Sequence, residues 1–147
     1  MQLTRRYRFS ASHRLYSDSL SEAENRATFG KCANPFGHGH DYALDVSVRG
    51  PLEERSGRIV DLDLLDSLVR REIVDPMEHS NLNVDIAEFQ QPGGLVPTTE
   101  NLAVVIRRRL YDSWPRYFGQ SAFSSVTLEK VRIEETRRNI FEITDTQ

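Results

Sequence analysis

The stretch GKCANPFGHGHDY, residues 30–42, concentrates side chains that can bind a metal or transfer a proton. It holds Cys32, the only cysteine of the chain, together with His38 and His40. Residues two apart leave the same face of an extended strand, so both imidazoles could reach one ion. The neighbouring glycines would let the backbone pack closely around that ion. The alternative is a polar loop that collects reactive side chains.

A third histidine falls in step with this pair. His13 ends an alternating segment near the N-terminus and shares the phase of Phe9 and Ala11. If that strand pairs antiparallel with the one that begins at His38, its end lies beside the start of its partner. Three neutral imidazoles with an open fourth position describe a catalytic zinc site rather than a closed structural one. His13, His38 and His40 are therefore the candidate zinc ligands.

Cys32 has two functional interpretations. It could complete a structural site with three histidines and one cysteine. It could also lie near the metal as a thiolate base or nucleophile that a neighbouring histidine activates. An ordinary buried thiol is the alternative without a function.

Two further ionisable residues are candidates. His79 follows Glu78, and a carboxylate can orient an imidazole, although the two could equally form a surface pair. Glu135 shares the phase of Val131 and Ile133, so its carboxylate is expected on the apolar side of its strand. A carboxylate placed there needs a hydrogen-bonding partner, which the N–H groups of a ligand could supply.

Composition restricts the classes to which the protein can belong. A length of 147 residues suits one domain, residues 1–147, and 38% hydrophobic residues allow one modest core. Apolar runs such as LAVVI are too short to span a membrane, and the N-terminus MQLTRRYRF lacks the apolar region of a signal peptide. One cysteine cannot form an internal disulfide, so we expect a cytoplasmic protein.

The charge distribution argues against nucleic acid as a partner. The net charge is −3, whereas nucleic-acid binding favours a strongly basic domain. An anionic small molecule would need a local basic patch. The candidates for that patch are Arg5, Arg6, Arg8, Arg14 and Lys31.

Alternating apolar residues predict the first two strands, Leu3 to His13 and about His38 to Arg49. Residues 14–37 between them predict a long loop, with a short helical turn from Ser21 to Arg26. The first strand therefore ends, and the second begins, at a candidate metal ligand.

Apolar spacings of three and four predict two helices. The first runs from Asp61 to Val74, with Asp61 or Asp63 near its start, and Asp75-Pro76 should stop it. The second runs from Thr99 to Ser113, and Thr98 or Thr99 can cap it.

A hairpin closes the chain. The apolar residues on either side of Glu129-Lys130 lie in opposite phases, which a regular strand does not allow, so we predict a bulge there. The chain turns at TRRN and returns from Ile140 to Ile143. The order β-β-α-α-β-β predicts an α+β domain with a four-stranded antiparallel sheet and two helices on one face. Its open edges favour closure by oligomerisation.

These segments together resemble the 6-pyruvoyl-tetrahydropterin synthase family. The matching pieces, in the family's order, are FSASHRLYS (9–17), FGKCANPFGHGHDY (29–42), EHSNLN (78–83), PTTENLAV (97–104) and IEETRRNI (133–140). The resemblance implies the T-fold, in which subunits close an oligomeric barrel and two trimers stack into a homohexamer.

The resemblance also assigns roles to residues. It implies zinc on His13, His38 and His40, a catalytic cysteine at Cys32 and a catalytic histidine at His79. Glu135 would hold the pterin ring, and Thr98 and Thr99 would line its pocket. The family usually has Asp where this chain has Glu78, which would orient His79; Asp75 is the alternative orienting carboxylate.

The activity implied is that of a carbon-oxygen lyase in tetrahydrobiopterin biosynthesis. It converts 7,8-dihydroneopterin triphosphate to 6-pyruvoyl-tetrahydropterin and releases triphosphate. The main rival is 6-carboxy-tetrahydropterin synthase of queuosine biosynthesis, in which three residues typically separate the cysteine from the His-Gly-His. Five residues separate Cys32 from His38 here, which favours the pyruvoyl type. A folate-branch relative with Glu at this position is disfavoured by Cys32 itself, and a non-catalytic zinc or pterin-binding protein is the remaining alternative.

Overall fold

The structure is a computed structural model that describes residues 1–144. Five strands form one sheet in the order β3-β1-β2-β4-β5. Their bounds are β1 Gln2–His13, β2 His38–Arg49, β3 Ser80–Asn81, β4 Thr127–Glu134 and β5 Ile140–Thr144. The strands β1, β2, β4 and β5 pair antiparallel, as the sequence predicts. The two-residue β3 adds a fifth strand, parallel to β1, and is too short to show an alternating pattern.

Five helices connect the strands: α1 Glu22–Phe29, α2 Leu62–Val69, α3 Asp75–Met77, α4 Leu82–Asp85 and α5 Thr99–Phe118. A π-helical turn at Arg70–Val74 joins α2 to α3, and short 3-10 segments lie at Gly30–Ala33 and Ala87–Phe89. No helix in the described part of the chain is both long enough and apolar enough to cross a membrane.

Helices α2 and α5 bury their apolar stripes against one face of the sheet. Leu65 and Leu68 of α2 and Leu102 and Ile106 of α5 are fully buried in the same core as Leu44 of β2. Burying side chains of this size stabilises the fold by about 1.5–3 kcal/mol each. The opposite face of the sheet is polar.

Three predicted helix boundaries were wrong. The predicted turn at Ser21–Arg26 is the longer helix α1, which begins with a capping box between Ser21 and Glu24. Asp75-Pro76 does not stop the first long helix, because Pro76 falls in the first turn of α3, where a missing N–H costs little. The helix predicted to end at Ser113 continues past Pro115 to Phe118.

Contacts outside the helix hold that last turn of α5. The indole Nε1–H of Trp114 donates a hydrogen bond to the Val126 carbonyl at 3.0 Å, and Phe118 is buried. Tertiary packing therefore outweighs the local cost of the proline.

The predicted bulge near Glu129-Lys130 is confirmed. Ser47 of β2 pairs with Lys130, whereas the next residue, Val48, pairs with Leu128. Glu129 is the extra residue, and it forms a two-point ion pair with Arg49. The bulge lets the apolar residues on both sides of it face the core.

The pairing of β1 with β2 positions the candidate site. Its register runs without interruption from Gln2 opposite Arg49 to His13 opposite His38. The histidines at the end of one strand and the start of the next are therefore direct neighbours.

Candidate active site and metal centre

Three imidazoles converge at the paired ends of β1 and β2. Nε2 of His13 lies 3.1 Å from Nε2 of His38. One ligand nitrogen from each of His13, His38 and His40 lies within 4.8 Å of the other two. Within residues 1–144, this group of metal-binding side chains contains the three predicted histidines and excludes Cys32. The arrangement is therefore that of a three-histidine site.

His13 is the buried member of the group. Its Nδ1–H donates a hydrogen bond to the carbonyl of Pro97 at 2.8 Å, which leaves the lone pair of Nε2 directed at the other rings. Burial lowers the pKa of the His13 imidazole, and the bond to Pro97 opposes this only in part. The neutral ring is the form that binds a metal, so this environment favours a ligand.

His40 supplies the clearest sign that a metal fits here. Its Nε2 is buried and, among the described residues, has no hydrogen-bond partner. A buried polar atom without a partner is costly unless water or an ion satisfies it. Burial lowers the pKa of His40, while the charge of Glu135 opposes that shift. Three imidazole nitrogens, one of them unsatisfied, match the donor set that zinc prefers.

Glu135 lies beside the histidines, as its strand phase predicts. Thr99 Oγ1–H donates to its Oε1 at 2.6 Å, and the Asn139 amide donates to Oε2 at 3.4 Å. Burial opposes ionisation, yet these two bonds and the nearby imidazoles hold the pKa of the Glu135 carboxyl below its ordinary value. At neutral pH the site therefore contains a fixed anion.

The two candidate threonines have different surroundings. Thr98 is the N-cap of α5, and its hydroxyl accepts a hydrogen bond from the Asn101 N–H at 3.2 Å. Thr99 is buried and bonded to Glu135. In the structure, Thr99 belongs to the site and Thr98 belongs to the helix start.

Sequence reasoning missed three residues of the site. The Pro97 carbonyl and the Asn139 amide carry no pattern that marks them. Tyr42 shares the phase of His38 and His40, which could have identified it. Its hydroxyl is buried, and burial with the charge of Glu135 raises the pKa of the phenol above its ordinary value.

The side chains of Glu78 and His79 are in close contact in the turn between α3 and β3. Glu78 Oε1 lies 2.9 Å from His79 Nε2, and Glu78 Oε2 accepts a hydrogen bond from the Ser10 N–H at 3.1 Å. Neighbouring residues can meet in this way because His79 has a left-handed backbone, with φ of 54°. It is the only non-glycine residue of the described chain with positive φ. Such strain is typical of functional positions.

A concavity of about 340 Å³ is lined in part by Ser10, His40, Asp41 and His79. The His79 side chain is 82% exposed. A second concavity of about 310 Å³ is lined in part by His13, Arg14 and Phe36.

Cys32 lies half-buried in the 3-10 segment Gly30–Ala33. Among the described residues, it lines neither of the two concavities. The structure thus brings together the three histidines, Glu135 and Thr99, and it places Cys32 on a separate segment of the same subunit.

Comparison with known proteins identifies the family. The family model for 6-pyruvoyl tetrahydropterin synthase matches residues 2–146. A human 6-pyruvoyl tetrahydrobiopterin synthase is 41% identical over 139 residues, which cover 95% of this chain and 88% of the human protein. A 6-carboxy-5,6,7,8-tetrahydropterin synthase of Rickettsia conorii is 27% identical over 141 residues, covering 88% of this chain and 91% of the relative.

Solved structures agree with this assignment. The Caenorhabditis elegans 6-pyruvoyl tetrahydropterin synthase superposes with a TM-score of 0.84 at 38% identity, covering 99% of this chain and 96% of the nematode chain. The resemblance in sequence and the expected T-fold are both confirmed by these matches. The chain belongs to the 6-pyruvoyl tetrahydropterin synthase family of enzymes.

Proposed function

We propose that the chain is a zinc-dependent lyase that converts 7,8-dihydroneopterin triphosphate to 6-pyruvoyl-tetrahydropterin and releases triphosphate. The observation that carries this proposal is the convergence of three histidine nitrogens within 4.8 Å of one another. The ionised, hydrogen-bonded Glu135 lies beside them. Together they offer a metal site and a pterin anchor on one wall.

His13, His38 and His40 would hold the zinc. When bound, zinc would polarise the hydroxyl oxygens of the substrate side chain and make the adjacent C–H more acidic. The pterin ring would bind through its N–H groups to the carboxylate of Glu135. Thr99 would keep that carboxylate oriented, and Thr98 would shape the same pocket through the start of α5.

Cys32 and His79 would move the proton. As a thiolate, Cys32 would take the proton from the substrate carbon, and His79 would then take it from the Cys32 thiol. Glu78 would fix the imidazole of His79, since the two side chains are already in contact. Triphosphate would leave with the electron pair of its C–O bond. The remaining change is an internal redox shift, so the reaction needs no nicotinamide.

Assembly into a homohexamer, a dimer of trimers, would complete the site. Cys32 and His79 lie on segments separate from the histidine group, and His79 is largely exposed in one subunit. A site between subunits would bring such residues together, so monomers should be weak catalysts. We place this single-domain enzyme of residues 1–147 in the cytoplasm, with a pterin triphosphate as its partner.

The spacing of the cysteine supports the pyruvoyl product over the carboxy product. Five residues separate Cys32 from His38, and identity is 41% to the human pyruvoyl-type relative against 27% to the carboxy-type relative. The decisive experiment adds dihydroneopterin triphosphate to zinc-loaded protein and identifies the product by mass spectrometry. A carboxylated product would place the chain with the queuosine enzymes.

Substitution of Cys32 by Ala separates an enzyme from a non-catalytic zinc or pterin-binding protein. We expect the variant to keep its zinc and lose turnover, because Cys32 lies outside the histidine group. Loss of zinc on this substitution would instead make Cys32 a ligand and would contradict the proposal.

A further inference from the structure

The segment that carries Cys32 is fastened to the residues that follow β1. The Leu15 N–H donates a hydrogen bond to the Cys32 carbonyl at 2.8 Å. The side chain of Arg14 donates from Nε to the carbonyl of the next residue, Ala33, at 2.9 Å. Two consecutive carbonyls on this segment are therefore held by two consecutive residues after the metal ligand His13.

Arg14 is itself held in place from two sides. Its guanidinium carbon lies 4.0 Å from the centre of the Tyr16 ring, a cation–π contact that fixes the direction of the side chain. The amide of Asn83 binds the main chain of Arg14 at both ends: its Oδ1 accepts from the Arg14 N–H at 2.7 Å, and its Nδ2 donates to the Arg14 carbonyl at 2.9 Å. A single side chain therefore satisfies both backbone groups of Arg14.

These contacts connect the two segments that the proposed reaction needs. Asn83 lies in α4, which directly follows β3 and the turn that holds His79. Through Asn83 and Arg14, the His79 turn is connected to the Cys32 segment. We call this connection the Arg14–Asn83 clamp.

The Cys32 segment needs such a clamp because its own structure is weak. A single turn of 3-10 helix has poor hydrogen-bond geometry. The residues that follow it, Asn34 to Phe36, are all exposed, and the side chain of Phe36 is almost fully so. Ordering this stretch costs backbone conformational entropy, and contacts with the rest of the chain must offset that cost.

We propose that Arg14 and Asn83 are positioning residues for Cys32, and that their clamp holds its thiol in the orientation that proton removal requires. The inference rests on the proposed role of Cys32 as the base. Misplacing a reacting group by about 1 Å can cost about 100-fold in rate, which is the scale of effect available to such a clamp.

The test compares the zinc-loaded wild type with Arg14→Met and Asn83→Ala. Arg26→Met is the matched control, because Arg26 is an exposed arginine of the neighbouring helix α1 and its loss changes the charge equally. Cys32 is the only cysteine, so alkylation by iodoacetamide reports on it alone. The reaction is run above the ordinary thiol pKa of about 8.5, so that its rate reflects access to the thiol.

We expect alkylation of Cys32 to be about 3- to 10-fold faster in Arg14→Met and Asn83→Ala, because the half-buried thiol is released. We expect kcat to fall about 10-fold or more, with KM within about twofold of wild type and zinc content unchanged. Arg26→Met should match the wild type in all four measurements.

Arg14→Lys separates positioning from simple charge. Lysine keeps the positive charge but lacks the planar fork that reaches Ala33 and stacks on Tyr16. We expect it to behave like Arg14→Met. Wild-type behaviour of Arg14→Lys, or a raised KM with wild-type alkylation in Arg14→Met, would show that Arg14 binds the substrate and would overturn the clamp.

The alkylation rates keep this inference separate from the proposed function. If the protein turns over no pterin triphosphate, faster alkylation in both variants still supports the clamp on Cys32, and only its catalytic purpose is lost. Unchanged alkylation in both variants overturns the clamp whatever the activity. If Arg14→Met does not fold, Asn83→Ala alone tests the clamp. Its thermal unfolding midpoint shows whether that variant is folded.

Discussion

Oε1 of Glu135 lies 3.6 Å from Nε2 of His40, the ring nitrogen that has no hydrogen-bond partner among the described residues. The contact brings a fixed anion up to the site where a cation would bind. The proposed pterin anchor therefore lies in contact with one of the proposed zinc ligands.

Replacing Glu135 by Gln should separate ring recognition from metal binding. The variant keeps the shape of the side chain but loses a charge-assisted hydrogen bond worth about 1.5–3 kcal/mol. We expect kcat/KM to fall about 10- to 100-fold, mainly through KM, while the protein still binds zinc. Steady-state kinetics and metal analysis measure the two effects.

Glu134→Gln is the matched control for that change. Glu134 is the preceding residue and the last residue of β4, and its Oε2 lies 3.6 Å from the Nη1 of Arg132. We expect its kinetics to match the wild type. Equal losses in both variants would mean that position 135 has no special role.

Metal content should distinguish the histidines proposed to bind zinc from His79, which lies outside that group. His38→Ala removes one of three ligands and should reduce bound zinc to a small fraction of one equivalent, measured by elemental analysis after dialysis. His79→Ala removes an imidazole that contacts Glu78 and lies outside the ligand group, so zinc should stay near one equivalent while turnover is lost. Zinc loss in His79→Ala would contradict this division.

Gly37 is predicted to be irreplaceable at the junction between the cysteine segment and β2. A Cβ at this position would lie 2.6 Å from the His13 carbonyl oxygen, closer than real contacts allow, and φ is +65°. We expect Gly37→Ala to destabilise the protein by more than the roughly 1–2 kcal/mol that a left-handed backbone costs, and to weaken zinc binding by displacing His13.

Gly57→Ala provides the comparison for Gly37→Ala. Gly57 has nearly the same φ, +66°, but no atom lies within 4 Å of the added Cβ. It should show the conformational cost alone in urea unfolding, with zinc affinity unchanged. Similar losses at the two positions would argue against a steric role for Gly37.

The free energy of unfolding of the metal-free protein should decrease as the pH is lowered through the range in which histidine titrates. Burial holds the pKa of His13 and His40 below the ordinary value, so the unfolded chain binds protons first as pH drops below about 6.5. The free energy of unfolding therefore falls from pH 7.5 to pH 5.5. Urea unfolding at several pH values measures the slope.

His13→Asn tests the origin of that slope. The asparagine amide can still donate to the Pro97 carbonyl, but it does not titrate, so the dependence on pH should become shallower. An unchanged slope would assign the effect to other groups.

The sequence predicted the parts of the site that depend on strand geometry. The phases of His13, His38 and Glu135 placed them on one face, and antiparallel pairing brought them together. The change of phase near Glu129 likewise predicted the bulge. These inferences succeed because an extended chain has a fixed period of two.

Other features depend on backbone groups or tertiary contacts that leave no periodic pattern. The Pro97 carbonyl accepts a hydrogen bond from the ring of His13, and the contact between Glu78 and His79 occurs where His79 has a left-handed backbone that its residue type does not predict. The last turn of α5 depends on distant packing around Trp114. Loops such as the one that carries Cys32 are specified by individual contacts, so their position emerges only from the structure.

The spacer between Cys32 and His38 is held in place at both of its ends. At one end, the carbonyls of Cys32 and Ala33 are bonded to the chain after β1, and at the other, Gly37 lies directly against the His13 backbone. The exposed residues Asn34 to Phe36 would therefore have to change their backbone conformation to accommodate an inserted or deleted residue. We expect a change in the length of this spacer to alter the distance between the Cys32 thiol and the histidines while the strands of the sheet keep their pairing.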